Sequence, residues 1–341
     1  MSDGRTRRKG AGRRPFVEHH PDVIKAIEKI IDGQTYGDPS KMLHWVPQSM
    51  SLRKIEAILI DEYGIQVSYV KVSQLLTDMG YSKQVNQKML QAGEPSPDRD
   101  EQFGIINDLA KQYLEAGDPV ISVDTKKKEN IGNFKNNGAE YRKTKDPRKV
   151  WDHDFPVAEL GKVNPYGVYV LNSNTGFINL GTDHDTSEFA VASIAAWWDS
   201  CGKNSFPEAR RIYITCDGSG SNSSRSRAWK CGLQKLADYT GLEIMVSHYP
   251  PGASKWNKIE HRMFCYISKN WQGKSLIDIE TVVSLISNTT TQNGLKIDCL
   301  VDNNVYPIGR KVSDDELAQV NHIPYERLGR WNYTIMPNCK E

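Results

Sequence analysis

No apolar run in the sequence is long enough to cross a bilayer, and its start, MSDGRTRRKGAGRRP, lacks the apolar core of a secretory signal. A protein that stays in the cytosol is therefore expected. Cysteine is scarce: there are six, at 201, 216, 231, 265, 299 and 339, and none has the C-x-x-C spacing of a zinc site. In a reducing compartment they read as buried free thiols. The eight histidines are scattered, with no H-E-x-x-H or similar cluster. A disulfide scaffold and a zinc enzyme are thereby set aside. Net charge is nearly absent too, at +2, while 38% hydrophobic and 25% charged residues describe an ordinary folded protein.

What charge there is lies unevenly. Arg5, Arg7, Arg8, Lys9, Arg13 and Arg14 face only Asp3 in the first fifteen residues. Residues 126–149 hold nine Lys/Arg against Glu129, Glu140 and Asp146, whereas residues 275–341 carry more acids than bases. Local basic stretches in a near-neutral chain suit a polyanionic partner, and equally suit solvated loops.

The periodicity divides the chain. Residues 1–15 read as a basic arm, and Val23, Ile24, Ile27, Ile30 and Ile31 give a helix over about 21–32. Residues 51–80 follow a helix-turn-helix pattern. Ser51 caps a helix whose apolar face is Ile55, Ile58 and Leu59, and Gly64 ends it. Ile65 and Val67 plug the turn, and Ser68 caps a second helix with Val72, Leu75, Leu76 and Met79 inward. Tyr69, Lys71 and Gln74 then face outward, where a recognition helix meets base edges; a plain helical hairpin would pack by the same pattern. QAGEPSPDRD (91–100) is a linker, followed by a helix over about 100–116.

From 119 the pattern turns to strands. PVISVD (119–124) precedes a long basic loop to about 164, and YGVYVL (166–171) with FINLG (177–181) forms a hairpin. Asp185, with Glu188 after it, reads as the start of a helix to about 200. RRIYITCD (210–217), a helix with Trp229, Leu233, Leu236 and Ala237, and EIMVSHY (243–249) come next. PPGAS opens a last helix from about 255, with Trp256, Ile259, Met263 and Ile267 inward. The order βββ-α-β-α-β-α is not a Rossmann repeat. It is that of an α/β, RNase H-like mixed sheet.

Three acids occupy telling places in this order. Asp124 ends the first strand, Asp217 ends the fourth, and Glu260 lies one step from the apolar stripe of the last helix. Such strands are neighbours in this fold, so the acids converge. Converging carboxylates repel unless cations sit between them, and hard oxygen ligands suit Mg²⁺ or Mn²⁺, two ions per site, acting on a phosphodiester. Singly, each acid has a plainer reading as a turn, a cap or a surface ion pair. Asp183 and Asp185 are the nearest rivals, read as a loop residue and a helix cap. Lys126, Lys127 and Lys128, and Arg225 and Arg227, are candidates to hold a DNA backbone. Trp256 reads as core rather than a base-stacking platform, and His248 as a strand-end residue rather than a general base.

VISVDTKKKENIGNFKN (120–136), HDFP (153–156), PYGVY (165–169), DHDTSEFAV (183–191), SRAWKCGLQKLADYTGL (226–242) and PPGASKWNKIEHRMF (250–264) closely resemble the Rhodopirellula-type, or ISAzo-type, DDE transposases of insertion sequences. The resemblance runs from about residue 10 to WNYTIMP (331–337), though the family has a further helical segment upstream of the one met here. It implies a catalytic triad falling on Asp124, Asp217 and Glu260. NKIE (257–260) resembles the N-x-I-E string of the wider Tc1/mariner-like group, which implies that Asn257 helps position the site.

The expected organisation is a basic arm (1–15), a helix-turn-helix domain (16–90), a linker and connecting helix (91–117), a catalytic domain (118–275) and its C-terminal extension (276–341). The expected function is binding of terminal inverted repeats and metal-dependent cleavage and strand transfer, by a homodimer or larger assembly on DNA in the bacterial cytosol. The alternatives are an RNase H-like endonuclease that cuts without joining, and a non-catalytic helix-turn-helix regulator.

Overall fold

The structure, a computed structural model, describes residues 15–32, 51–81, 96–253 and 256–338. The expected basic arm, the first half of the linker and the start of the helix at about 255 lie outside them. The chain forms two compact units, Met1–Met89 and Leu90–Glu341.

The first unit holds α1 (Phe16–His19), α2 (Val23–Asp32), α3 (Leu52–Asp61) and α4 (Tyr69–Asp78). Ser51 and Ser68 cap α3 and α4, accepting from Lys54 N at 3.2 Å and Lys71 N at 3.3 Å. Each such cap contributes about 1 kcal/mol. Between these helices Gly64 turns the chain at φ +67°, and Ile65 and Val67 drop into the core. That core is Val23, Ile27, Ile55, Leu59, Val72 and Leu75, the positions the helical spacing selects.

The second unit opens with α5 (Arg99–Glu115) and β1 (Val120–Thr125), followed by a short β2 (Glu129–Asn130). The antiparallel pair β3 (Lys162–Val170) and β4 (Thr175–Gly181) leads into α6 (Ser187–Trp197) and α7 (Lys203–Ser205). Then β5 (Arg211–Cys216), α8 (Arg227–Thr240) and β6 (Glu243–His248) alternate. A π turn at Glu260–Phe264 continues into α9 (Cys265–Asn270). Last come α10 (Ile279–Ser287), β7 (Lys296–Asp302), α11 (Asp314–Ala318), β8 (His322–Pro324) and β9 (Asn332–Ile335).

One mixed sheet runs β7-β4-β3-β1-β5-β6-β9-β8, with β2 pairing β3. Its centre, β4-β3-β1-β5-β6, has β3 antiparallel and β5 and β6 parallel to β1. This is the RNase H-like arrangement. β1 is buried because both faces are covered. Ile121 and Val123 pack with Phe189 and Ile194 of α6 and Trp229 and Leu233 of α8. Val120 faces the other way, with Ile105 and Leu109 of α5 and Tyr213. Each such side chain, fully buried, contributes about 1.5–3 kcal/mol. A further core joins Ile178 and Leu180 of β4 to Ile259, Met263 and Ile267, and to Val282 and Ile286 of α10.

Three details depart from the sequence reading. β3 begins four residues earlier than expected, at Lys162, because Pro165 sits in the strand and reads as a breaker. Thr186, not Asp185, caps α6, accepting from Phe189 N at 3.2 Å. The C-terminal segment is no mere extension: β7 pairs with β4 and β9 with β6, so it borders the central strands on both sides.

Candidate active site

Period-2 alternation puts Ser122 and Asp124 on the β1 face opposite α6 and α8. The segment that carries Glu260 lies on that face, fastened by Asn257. The Asn257 amide is wholly buried; it donates to Val123 O at 3.1 Å and lies 3.5 Å from Asp124 Oδ2. Its oxygen accepts from Ser122 Oγ, which in turn accepts from Ile259 N at 3.1 Å. One amide thus ties the approach to Glu260 to the strand that carries Asp124. Gly167, the cross-strand partner of Asp124 on β3, makes room for it. A Cβ there would lie 2.6 Å from Phe264, 2.7 Å from Ile259 and 2.8 Å from Met263.

Asp217 follows β5, whose Cys216 lies in register with Val123 of β1. Its carboxylate accepts from Ser219 N at 2.7 Å and from Ser219 Oγ at 3.1 Å. Beneath it, Trp229 Nε1 donates to Tyr333 Oη at 2.9 Å, and Tyr333 Oη lies 3.0 Å from His248 Nε2. With the hydroxyl donating to Nε2, the imidazole proton is on Nδ1 and reaches the Asp217 carbonyl at 3.1 Å. Burial holds His248 down to about 4, so it is a neutral strut rather than a base. The strand-end reading of His248 is borne out, with a supporting role that its sequence position did not reveal.

Asp217 and Glu260 lie close enough for their charges to act on Asp124. Burial, then Asp217, then Glu260 push the Asp124 carboxyl up to about 8 from its ordinary 3.8, against the opposing Thr125 N–H and Asn257 amide. Burial raises Glu260, and Lys126 opposes it. Among the described residues no three acid, His or Cys side chains close around a single ion. The donor set is instead open and all-carboxylate. It suits hard cations that keep waters and phosphate oxygens as their other ligands.

The remaining candidates divide. Lys126 is buried, 3.1 Å from Glu129 and 4.1 Å from the centre of the Trp271 ring, so it faces inward toward Glu260. Burial lowers it, and Glu129 opposes that. Lys127, Lys128 and Arg225 are exposed. Arg227 is exposed as well and holds Asp314 at 2.6 Å. In the helical unit Tyr69 and Gln74 are exposed, and Lys71 donates to Gln74 Oε1 at 2.9 Å. Asp183 is occupied by Tyr306 N at 2.6 Å and by His184 Nδ1 at 2.8 Å. Asp185, freed from capping, accepts from Thr125 Oγ1, on the residue after Asp124, at 3.1 Å. Trp256, expected in the core, is 50% exposed, with its ring edge-on to Phe103. Sequence reasoning missed Ser122 and Gly167; only the glycine inside a strand pattern gave a signal.

No curated protein matches the chain. Among solved structures, a Mos1 transposase paired-end complex with left transposon end is 15% identical, covering 79% of this chain and 83% of that one at a TM-score of 0.40. A Mos1 strand transfer complex (13%, covering 79% and 82%, TM-score 0.38) and a mariner Mos1 paired-end complex with Mg (14%, covering 79% and 83%, TM-score 0.39) are similarly distant. The model of the Rhodopirellula transposase DDE domain matches residues 26–337. That match spans all three acids and nearly every described element, and the chain belongs to the Rhodopirellula family of DDE transposases.

Proposed function

We propose that this chain is the transposase of a bacterial insertion sequence, acting in the cytosol on the nucleoid, with Asp124, Asp217 and Glu260 as its metal-holding triad. The observation that carries the reading is the tie through Asn257 and Ser122, which fixes the Glu260 segment to the strand carrying Asp124, next to the strand that leads into Asp217. When bound, two Mg²⁺ or Mn²⁺ ions would activate the attacking oxygen and stabilise the leaving one in an in-line displacement at phosphorus. The protein's own part is to hold the acids in place, with Asn257 orienting Asp124, Ser219 orienting Asp217 and Lys126 facing Glu260. The helical unit, through Tyr69, Lys71 and Gln74 on α4, recognises the terminal inverted repeats as a helix-turn-helix. Lys127, Lys128, Arg225 and Arg227 hold backbone phosphates, and Arg227 can exchange its exposed Asp314 partner for one at little cost. Cleavage frees a 3′-hydroxyl, which attacks target DNA; joining two ends calls for two sites, hence a dimer or larger assembly on DNA.

The test is cleavage of an end-containing duplex in EDTA, then with each cation restored. Mg²⁺ or Mn²⁺ is expected to support cleavage, and Ca²⁺ to permit binding alone. Asp217→Asn is expected to bind ends normally and to lose cleavage by more than the roughly 10–100-fold that an outer-shell loss costs. Activity in EDTA, or with zinc alone, would overturn the assignment. Strand transfer from pre-cleaved ends separates a transposase from an endonuclease that only cuts.

A further inference from the structure

The long basic connection between β2 and β3 is a built element. It is fastened to the segment after α9, which continues the helical turn of Glu260. Gly132 N donates to Leu276 O at 2.7 Å, Gly273 N to Asn137 O at 2.9 Å, and Asn136 Nδ2 to Trp271 O at 3.3 Å. Three glycines allow so close an approach: Gly132, Gly138 and Gly273, at φ +140°, +99° and +71°. A Cβ would lie 2.6 Å from the Trp151 ring at Gly132, 2.6 Å from Gln272 Cβ at Gly138, and 2.9 Å from the Ala139 backbone at Gly273. Trp151 packs edge-on to Phe134 with centroids 4.9 Å apart, tying the returning leg of the connection to the outgoing one.

On this frame sits an open pocket of about 440 Å³, whose lining does not include the three acids. Lys135, Arg142, Lys143, Lys145 and Arg148 line it against two acids, Glu140 and Asp146, a net +3. Glu140 holds Arg148 at 3.0 Å and Arg142 at 3.2 Å, and Asp146 lies 3.5 Å from Arg142. The acids therefore set the two guanidiniums in place. Lys135, Lys143 and Lys145 are exposed and have no ion-pair partner among the described residues. Several ammonium groups around a shallow, open concavity suit a ligand with repeated charges spread along its length more than a small enclosed anion. A phosphodiester backbone is such a ligand.

We propose that the β2–β3 connection is a DNA-backbone cradle, in which Lys135, Lys143 and Lys145 take phosphate oxygens without regard to sequence. Its glycine-built frame holds that stretch of backbone in fixed relation to the segment carrying Glu260. The proposal rests on the transposase reading and adds to it a second DNA-binding surface, distinct from the helical unit.

The test is binding of a fluorescein-labelled duplex of arbitrary sequence by the full chain across a salt series in EDTA. Combining Lys135→Ala, Lys143→Ala and Lys145→Ala is expected to make the log–log salt slope shallower by about 2–3, at about 0.9 for each phosphate left without its ammonium partner. Preference for element ends over arbitrary duplex should stay as in wild type. A matched protein with Lys111→Ala, Lys203→Ala and Lys296→Ala, which loses equal charge from α5, α7 and β7, should keep the original slope. An unchanged slope in the first protein, or an equal loss in the matched one, overturns the cradle. Should the alanine protein fail to fold, the same three positions changed to Gln keep the aliphatic stems and read the same slope. Asp217→Asn separates the two readings. If it loses cleavage while the lysine variant keeps its slope, only the cradle fails; if it still cleaves, the transposase site itself is wrong.

Discussion

Under the proposed function Asp124 is held between two demands: it would have to be ionised to hold a cation, yet it lies where burial and two like charges favour the proton. With its carboxyl pushed up to about 8, the metal-free fold keeps a proton that the unfolded chain releases near its ordinary 3.8. The stability contributed by this group is therefore fully present below about pH 4 and lost as pH rises toward about 8. Melting temperatures of metal-free protein are expected to fall across that window, and less steeply in Asp124→Asn; equal slopes would acquit Asp124. Mg²⁺ binding below about pH 8 is expected to release protons, which calorimetry in buffers of different ionisation heat would detect. Asn257 is the second residue whose loss is legible. Asn257→Ala leaves Ser122 Oγ and Val123 O without their buried partner, at a cost of about 1–3 kcal/mol by denaturant melting. Cleavage is expected to drop about 10–100-fold, with more Mg²⁺ needed for half-maximal rate. Wild-type cleavage would show that the amide does not position the site.

At the scale of elements, the approach to Glu260 depends on what β3 omits. Gly167→Val would drive a branched side chain into Ile259, Met263 and Phe264, and overpacking of this kind costs about 1–3 kcal/mol. Cleavage is expected to fail while binding to element ends stays normal, since the helical unit is untouched. A variant as active as wild type would mean that the Glu260 segment can shift without consequence. The elements themselves were largely legible: Ser51 and Ser68 cap where the sequence placed them, and Asp124 and Asp217 lie within one residue of the ends of β1 and β5. Local chemistry determines these features, so local reading finds them. Asp185 misled because a carboxylate three residues before Glu188 imitates a cap, whereas Thr186 does the capping and Asp185 answers a residue sixty positions away. Trp256 misled for the opposite reason. Its spacing from Ile259 suits a helical stripe, but Trp256 lies in a 3₁₀ turn and the helical geometry is interrupted at Asn257, so the stripe of Ile259 and Met263 does not reach back to it.

The whole molecule divides at about residue 90 into two units that each have their own core, and the proposed function puts recognition in the first and chemistry in the second. Removing residues 1–90 is expected to abolish preference for element ends in a binding competition and to leave metal-dependent nicking of arbitrary duplex. Unchanged end preference would refute the division. The largest feature hidden from the sequence was the path of the last strands, because β7, β8 and β9 are short or half-exposed and pair only across long separations. Their placement orders events in time during synthesis. The β6 edge, at which His248 supports Asp217, stays bare until β9 has been made, with residues 249–331 translated in between. A ribosome that stalls anywhere in that interval holds a chain with an open strand edge and an unbraced aspartate, prone to pairing with another chain. The β6 edge and the support beneath Asp217 are therefore completed late. On the proposed function, a nascent chain is expected not to nick DNA before β9 is made, and a frameshift just before β9 is expected to remove the activity as completely as losing an acid.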